Sequence, residues 1–486
     1  MFLIITVFAT SCDLQTSSAY IAVTPTFQPG HPSLSEITPT PLPARTTYFP
    51  GQLVDYTAQS GDTLPALANR FNTTVAEIMQ ANTQIPNDAT TMPPGMPMQI
   101  PIYYSALWSS PFKIIPDHAF VNSPTGIGFN TAAFVATQTG WLKDYRVYAS
   151  GEWRSGAEMV DYVATNYSIN PRLLLAILEY QSGALTQSEI PVKKNMLGFK
   201  QLFYEAPYLQ LVIAANELNN GYYGWRAGSL LEFKEVDSFL IRPDPWQNAA
   251  SASIQYYYSR IFSGDEYTVA TGPEGLFLTY KNFFGDPWTD SFTLIPGSLQ
   301  QPKLRLPFPD NQIWTFTGGP HTGWGTGKPF SALDFAPPSE KSGCVPAKAE
   351  NYATAMANGL VVRSNVTNGL ALDLDKDGDE RTGWVIYYLH LSANKLAPLG
   401  AEINAGDFIG YPSCEGGERS TGTHIHIARK YNGEWMLADS ATPFNLDGWI
   451  AYNGSRDYLG ILIKGSALVT ACTCSNANSS ISSGPP

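Results

Sequence analysis

His424 and His426 stand two residues apart in Thr423-His424-Ile425-His426-Ile427-Ala428, where apolar residues alternate with polar ones. That period is the mark of a β-strand, and residues two apart on a strand share a face. Both imidazoles therefore point to one side of a sheet, and the rest of the fold must bring to that side whatever works with them. Two more of the six histidines, His321 and His390, lie upstream in the same part of the chain, with Asp334 between them.

A catalytic Zn²⁺ takes three His or carboxylate ligands at about 2.0 to 2.2 Å and leaves a fourth position for water. His321, Asp334 and one histidine of the His-Ile-His pair make such a set. A lone strand histidine is ordinarily a core or surface residue; five suitable positions in one order set this group apart. With Ala332-Leu333-Asp334-Phe335, Tyr388-Leu389-His390-Leu391, the turn and strand Ala357–Val362, and Ala405–Gly410, the stretch from about Gln312 to Asp439 resembles the lysostaphin-type peptidoglycan zinc endopeptidases. That family most often places its first histidine four residues before the aspartate. Here the two are 13 apart, with Gly323, Gly325 and Gly327 between, as in the staphylolytic branch.

The resemblance implies a mostly antiparallel β zinc-peptidase domain over 305–470, with His321, Asp334 and His426 as zinc ligands and His390 and His424 as the catalytic pair. One of that pair takes or positions the proton of the attacking water and the other hydrogen-bonds the oxyanion; the sequence does not divide the two roles. The alternative is a domain of the same fold that hydrolyses nothing and serves as a wall-binding scaffold regulating another hydrolase. Such relatives usually lose a ligand, and none is missing here.

At 486 residues the chain has room for about three domains. Charged residues are 14% and aromatic ones 13%, a mix found in extracytoplasmic carbohydrate- and wall-active proteins. The net charge of −12 argues against nucleic acid as partner and leaves an anionic wall to be held by a specific module. The apolar run Phe2–Ala9, followed by Thr10-Ser11-Cys12, is similar to the end of a bacterial lipoprotein signal over 1–12, with Cys12 lipidated and the protein anchored to the membrane on the outer side, in the cell envelope. The basic start of a signal peptide is absent and Ala9 replaces the usual Leu. Residues 13–51, rich in Thr, Pro and Ser, read as an extended tether.

Residues 52–102 give strand, helix, helix, strand signals: Val54–Thr57, a turn at Ser60-Gly61-Asp62-Thr63, helices over Leu64–Phe71 and Thr74–Gln80, and a strand at Met98–Pro101. With Ala81-Asn82 in place, this small βααβ unit resembles a LysM domain. The resemblance implies binding of N-acetylglucosamine chains through Gly61, Asp62, Thr63, Leu64 and Thr83-Gln84-Ile85. Capping and turning are the alternative roles for these residues.

Asn170-Pro171 opens an apolar helix ending at Gln181-Ser182-Gly183. It resembles the helix carrying the catalytic acid of lytic transglycosylases, whose acid position is Gln181 here, and an amide donates no proton to a glycosidic oxygen. Glu179 lies about 200° round the helix. Residues 115–295 therefore read as a mostly α, lysozyme-like module without cleavage, its Gly221–Trp225 and Tyr256–Tyr258 runs lining a groove or filling a core.

Asp373, Asp375, Asp377 and Asp379, with Gly378 sixth, match the first half of a calcium loop, but its twelfth position is Trp384. Calcium or an exposed turn both fit. Cys12 aside, four cysteines remain. These four allow three pairings, of which Cys344 with Cys414, in the loops flanking the histidines, is the favoured one; from residue 475 to 486 the composition predicts disorder. The expected protein is a multidomain, zinc-dependent hydrolase of stem or cross-bridge peptide bonds in peptidoglycan.

Overall fold

A computed structural model describes residues 47–482, except 104–108, 193, 201–204, 340, 418–419 and 475. These residues all fall in one unit, Pro39–Pro486. Cys12, the rest of the 1–12 segment and nearly all of the tether lie outside the described residues.

The first folded element is a βααβ unit. β1 (Gln52–Thr57) pairs antiparallel with β2 (Pro97–Ile102), placing Val54 opposite Ile100. Between them run α1 (Leu64–Arg70), capped by the Thr63 hydroxyl accepting from Ala66 N, and α2 (Val75–Ala81), opened by a reciprocal Thr74–Glu77 capping box. Each cap satisfies N–H groups that a helix start leaves without partners. Leu67, Phe71, Ile78 and Ile100 fill the small core.

The helical module is built from α3 (Gly156–Tyr167), α4 (Pro171–Ser182), α5 (Pro207–Arg226), α6 (Ala249–Ser259) and α7 (Leu276–Phe284), with shorter turns between. α4 starts where the Asn170 side chain accepts from Arg172 N and stops at Gly183, whose φ of +61° suits glycine. Leu173 through Leu178 are buried all round the helix. α5 and α6 approach so closely at Gly221 that a Cβ there would lie 2.8 Å from Ser253 Cα. Tyr222, Tyr223, Trp225, Tyr257 and Tyr258 belong to this core, so the aromatic runs fill the module and line no groove.

Among the described residues of the C-terminal domain, nine strands form one sheet: β3 (Ile313–Thr322), β4 (Phe330–Ala336), β5 (Gly359–Asn365), β6 (Gly369–Asp373), β7 (Trp384–Leu389), β8 (Glu402–Ile403), β9 (Ile425–Tyr431), β10 (Glu434–Trp435) and β11 (Ser480–Ser482). The spatial order is β8-β5-β6-β7-β9-β4-β3-β11, with β10 on the end of β9, and the pairings are antiparallel. Ile425 and Ile427 of β9 face a core internal to the domain, whereas Ala428, with Ala332 and Tyr387, packs into the core of the helical module. His426 shares the face of Ala428, at the end of the strand that the helices leave open.

Residues 477–482 are ordered rather than disordered. Ile481, flanked by serines, is buried and stands opposite Trp314 at the outer edge of β3. One apolar anchor and an open hydrogen-bonding edge are enough to hold so polar a segment.

Candidate metal and catalytic site

Strand register assembles the site. Asp334 on β4 stands directly opposite His426 on β9, which in turn stands opposite Leu389 on β7. β3 delivers His321 opposite Ala332 through a bulged stretch around Gly318-Gly319-Pro320. Gly318 is required there: a Cβ would lie 2.4 Å from Asp334 Oδ2. His390 follows the end of β7 with φ +58°, a left-handed turn that costs a non-glycine residue about 1 kcal/mol or more. Continued as a strand, β7 would point residue 390 away from Leu389's face. The turn instead sets its ring 4.5 Å from that of His424 and 6.2 Å from that of His426, centroid to centroid.

Three donor atoms converge. His321 Nε2 is 3.0 Å from His426 Nδ1 and 3.3 Å from Asp334 Oδ1, and His426 Nδ1 is 3.2 Å from the same oxygen. A tetrahedral ion with bonds of about 2.0 to 2.1 Å separates its ligand atoms by about 3.3 Å. Asp334 Oδ1 is buried without a hydrogen bond, which is costly unless a cation takes its place. The far side of each ring is fixed by a main-chain carbonyl: His321 Nδ1 lies 2.8 Å from Gly319 O, and His426 Nε2 lies 3.2 Å from Gly323 O. Donating there leaves the inward nitrogens free as ligands, the usual outer support of a metal-binding histidine. The residues present fit zinc.

The second pair is oriented in the same way. His390 Nδ1 is 3.1 Å from Glu415 O and His424 Nδ1 is 2.8 Å from Gly422 O, so both Nε2 atoms face the cleft. Burial would raise the Asp334 carboxyl, but the neighbouring His321 and His424 hold it well below the usual range. Burial also disfavours a charged His321, yet Asp334 outweighs it and the pKa is raised. His390, buried and beside His424 and His426, is pushed down to about 3.

These rings floor an open cleft of 1140 Å³, walled by Trp324, Lys341, Val345, Thr423 and Tyr458. Cys344 and Cys414 form a disulfide joining the loops on its two sides; Cys472 and Cys474 are also bonded. Glu415, next to Cys414, ties its loop back through Ser392 Oγ at 2.9 Å and Ala393 N at 3.0 Å. Tyr458, which sequence reasoning missed, stacks on His321 at 4.1 Å. No motif marks it, because it arrives from a loop of the four-stranded meander between Asn445 and Thr470. The four carbonyls that orient the imidazoles were equally invisible, since any residue supplies one.

The residues expected to meet glycan fall into two groups. Asp62 is buried, accepting from Tyr56 Oη at 2.6 Å, Gln59 N at 2.8 Å and Arg70 Nη1 at 2.8 Å. A Cβ on Gly61 would meet Arg226 of α5 at 2.5 Å, the Arg226 guanidinium donates to Ser60 O, and Ser60 Oγ exchanges hydrogen bonds with the main chain of Ile295. Gln59 donates to Trp246 O and Gln247 O. This first loop is thus covered by the helical module, which corrects the expectation that Gly61 and Asp62 face a glycan. Leu64 is buried too, and Thr63 caps α1. On the second loop Ile85 is buried, while Thr83 and Gln84 are exposed.

At the former acid position, Gln181 accepts from Tyr257 Oη at 2.6 Å and donates to Leu197 O. Glu179 is buried, receiving Leu185 N and Thr186 Oγ1. Neither side chain serves a cleft. Asp373, Asp375 and Asp377 do gather, but each spends a carboxylate oxygen on a main-chain N–H two residues on, and Asp379 is paired with Arg381. The run is a series of hydrogen-bonded turns, and calcium finds no support in it.

Comparison with known proteins agrees with these domains. The family model "LysM domain" matches residues 56–101, and "LasA, N-terminal domain" matches residues 113–298, the helical module. Protease LasA of Pseudomonas aeruginosa strain PAO1 is 23% identical over 331 residues, covering 63% of this chain and 74% of that protein. Protease LasA of strain UCBPP-PA14 is 24% identical over 332 residues with the same coverage. Among solved structures, the M23 metalloprotease pseudoalterin from the deep sea is similar at 21% identity and TM-score 0.30, covering 35% of this chain and 96% of its own. The lysostaphin catalytic domain of Staphylococcus simulans is similar at 22% and TM-score 0.19, covering 26% and 90%. The chain is similar to Protease LasA over nearly two thirds of its length, with a match to the LasA N-terminal domain lying between a LysM match and the C-terminal β domain.

Proposed function

We propose that the protein is an exported peptidoglycan hydrolase that cuts peptide bonds of the stem or cross-bridge at a zinc site and reaches the wall with its LysM domain. The observation that carries this reading is the triangle of His321 Nε2, Asp334 Oδ1 and His426 Nδ1, each side 3.0 to 3.3 Å, with two further imidazoles turned toward the same cleft. These three atoms would hold the ion. Zinc bound there would supply Lewis acidity and lower the pKa of its water to about 7.

The chain's own part follows from its hydrogen bonds. Gly319 O and Gly323 O keep the two ligand rings in the tautomer that leaves an inward lone pair. Glu415 O and Gly422 O do the same for His390 and His424, whose Nε2 lone pairs can take a proton from the attacking water; the ring so protonated can then give it to the leaving amide nitrogen. The disulfide holds the cleft open between its two loops. Thr83 and Gln84, exposed on the LysM domain, remain available to N-acetylglucosamine chains. A lipid at Cys12 would keep the enzyme at the outer membrane surface facing that substrate.

Purified chain should contain about one zinc per molecule and release free amino groups from purified wall, and a chelator should abolish the release. His426→Ala should lose both metal and activity. A chain that holds zinc yet releases no amines under any of these conditions would overturn the hydrolase reading in favour of a regulatory scaffold.

A further inference from the structure

Helix α5 reaches beyond its own module. Asn216 and Asn220 stand four residues apart, one turn of the same helix face. Asn216 Oδ1 accepts from Thr326 N at 2.8 Å, and Asn220 Oδ1 accepts from Lys328 N at 2.8 Å. The Asn216 amide nitrogen donates to Val212 O of its own helix, which fixes the oxygen outward. The two side chains thereby hold the segment between β3 and β4, whose first residue is Gly323. That residue's carbonyl orients the imidazole of His426. The indole of Trp324, next along, is buried in the core of the helical module. Gly325 and Gly327 adopt φ of +79° and +85°, and a Cβ on them would meet Asn216 Oδ1 at 2.5 Å and Asn220 Oδ1 at 2.2 Å. The glycine-rich spacing between His321 and Asp334 thus fits the loop under this helix as well as around the cleft.

We propose that Asn216 and Asn220 are positioning residues for the metal site: through the 323–328 segment they hold Gly323 O against His426 Nε2, so that the helical module sets the ring that completes the ligand triangle. This rests on the zinc reading of the site, but its test does not depend on activity. Neither asparagine is among the residues that line the cleft.

The full chain is compared with Asn216→Leu/Asn220→Leu and with Asn216→Asp/Asn220→Asp, which keeps an accepting oxygen at each site. Competition with a chelator should show zinc held roughly tenfold more weakly by the Leu pair and close to wild type by the Asp pair. Histidine-selective ¹⁵N spectra of the metal-free proteins should show His426 protonated at Nε2 in wild type and in the Asp pair, and a mixture of tautomers in the Leu pair. A folded Leu pair with wild-type zinc affinity and an unchanged His426 tautomer would overturn the proposal. If the Leu pair does not fold, Asn220→Ala alone is read in the same two ways. A wild-type chain that binds no zinc defeats the proposed function, whereas the metal-free His426 spectrum still decides the present inference.

Discussion

Arg226, the last residue of α5, meets all three domains. Its Nε pairs with Glu434 of β10 at 2.8 Å, its Nη2 with Asp117 at 3.1 Å and with Tyr222 Oη at 2.8 Å, and it donates to Ser60 O of the LysM loop. The side chains of Arg226, Glu434 and Asp117 are 6%, 6% and 7% exposed, so solvent does not soften the loss of a partner. Arg226→Met keeps the stem and removes the charge. Breaking a buried pair costs about 3 to 5 kcal/mol, mostly from the charge left behind. Asp117 keeps its bonds from Asn248 Nδ2 and Ala250 N, so the burden falls on Glu434. Burial already pushes the Glu434 carboxyl up, with Arg226 the chief group opposing it. In the variant it therefore protonates rather than stay charged, which caps the loss at about 5 kcal/mol. Adding Glu434→Gln to Arg226→Met should recover about 2 kcal/mol, a coupling energy expected only of groups in contact. Urea unfolding of the full chain, followed by tryptophan fluorescence, measures both. Protease cleavage near Ser60 should quicken in parallel, because the LysM loop loses its cover. A loss below about 1 kcal/mol, or additive single variants, would refute the junction.

Gly318→Ala places a methyl where the Asp334 carboxylate sits and should weaken zinc retention about 10- to 100-fold with little change in far-UV circular dichroism; unaltered zinc affinity would count against the fit. Cys344→Ser/Cys414→Ser frees the loop whose Glu415 carbonyl orients His390, so kcat on wall fragments should fall severalfold while zinc content stays at one. Burial pushes Lys430 down to about 7, opposed by Glu380, against an ordinary 10.5. Between these values the unfolded chain binds a proton there that the folded chain does not, so Lys430 makes stability rise with pH across roughly pH 7 to 10, by up to about 1.4 kcal/mol per pH unit. Lys430→Met should flatten that rise; parallel profiles of melting temperature against pH would contradict it.

The residues of the candidate site were legible because their chemistry is rare and their spacing follows strand geometry. His424 and His426 announce a shared face by alternation alone, and Asp334 sits in an apolar run that can only be a buried strand. Sequence could not show why His390 joins them, since that depends on one left-handed residue after β7. Nor could it place Tyr458, whose long-range stacking leaves no local pattern. The LysM loop misled for a different reason: Ser60-Gly61-Asp62 is the same small, polar turn whether it meets sugar, water or an arginine from another domain, and only tertiary contact distinguishes them. The aromatic runs in α5 and α6 carry no orientation in their composition, and burial decided for the core.

The short final strand has a consequence for the behaviour of the protein at high concentration. Wide sheets recruit neighbours through unpaired borders, and this one ends in β11, three residues long, on one side and β8, two residues long, on the other. Without Ser480–Ser482, the Ile313–Thr315 end of β3 would itself become a border, whereas farther along the strand Phe316 O already accepts from Cys472 N and Gly319 N donates to Tyr458 O. A strand of three residues thus shields that end of the sheet from edge-to-edge pairing with a second copy of the chain.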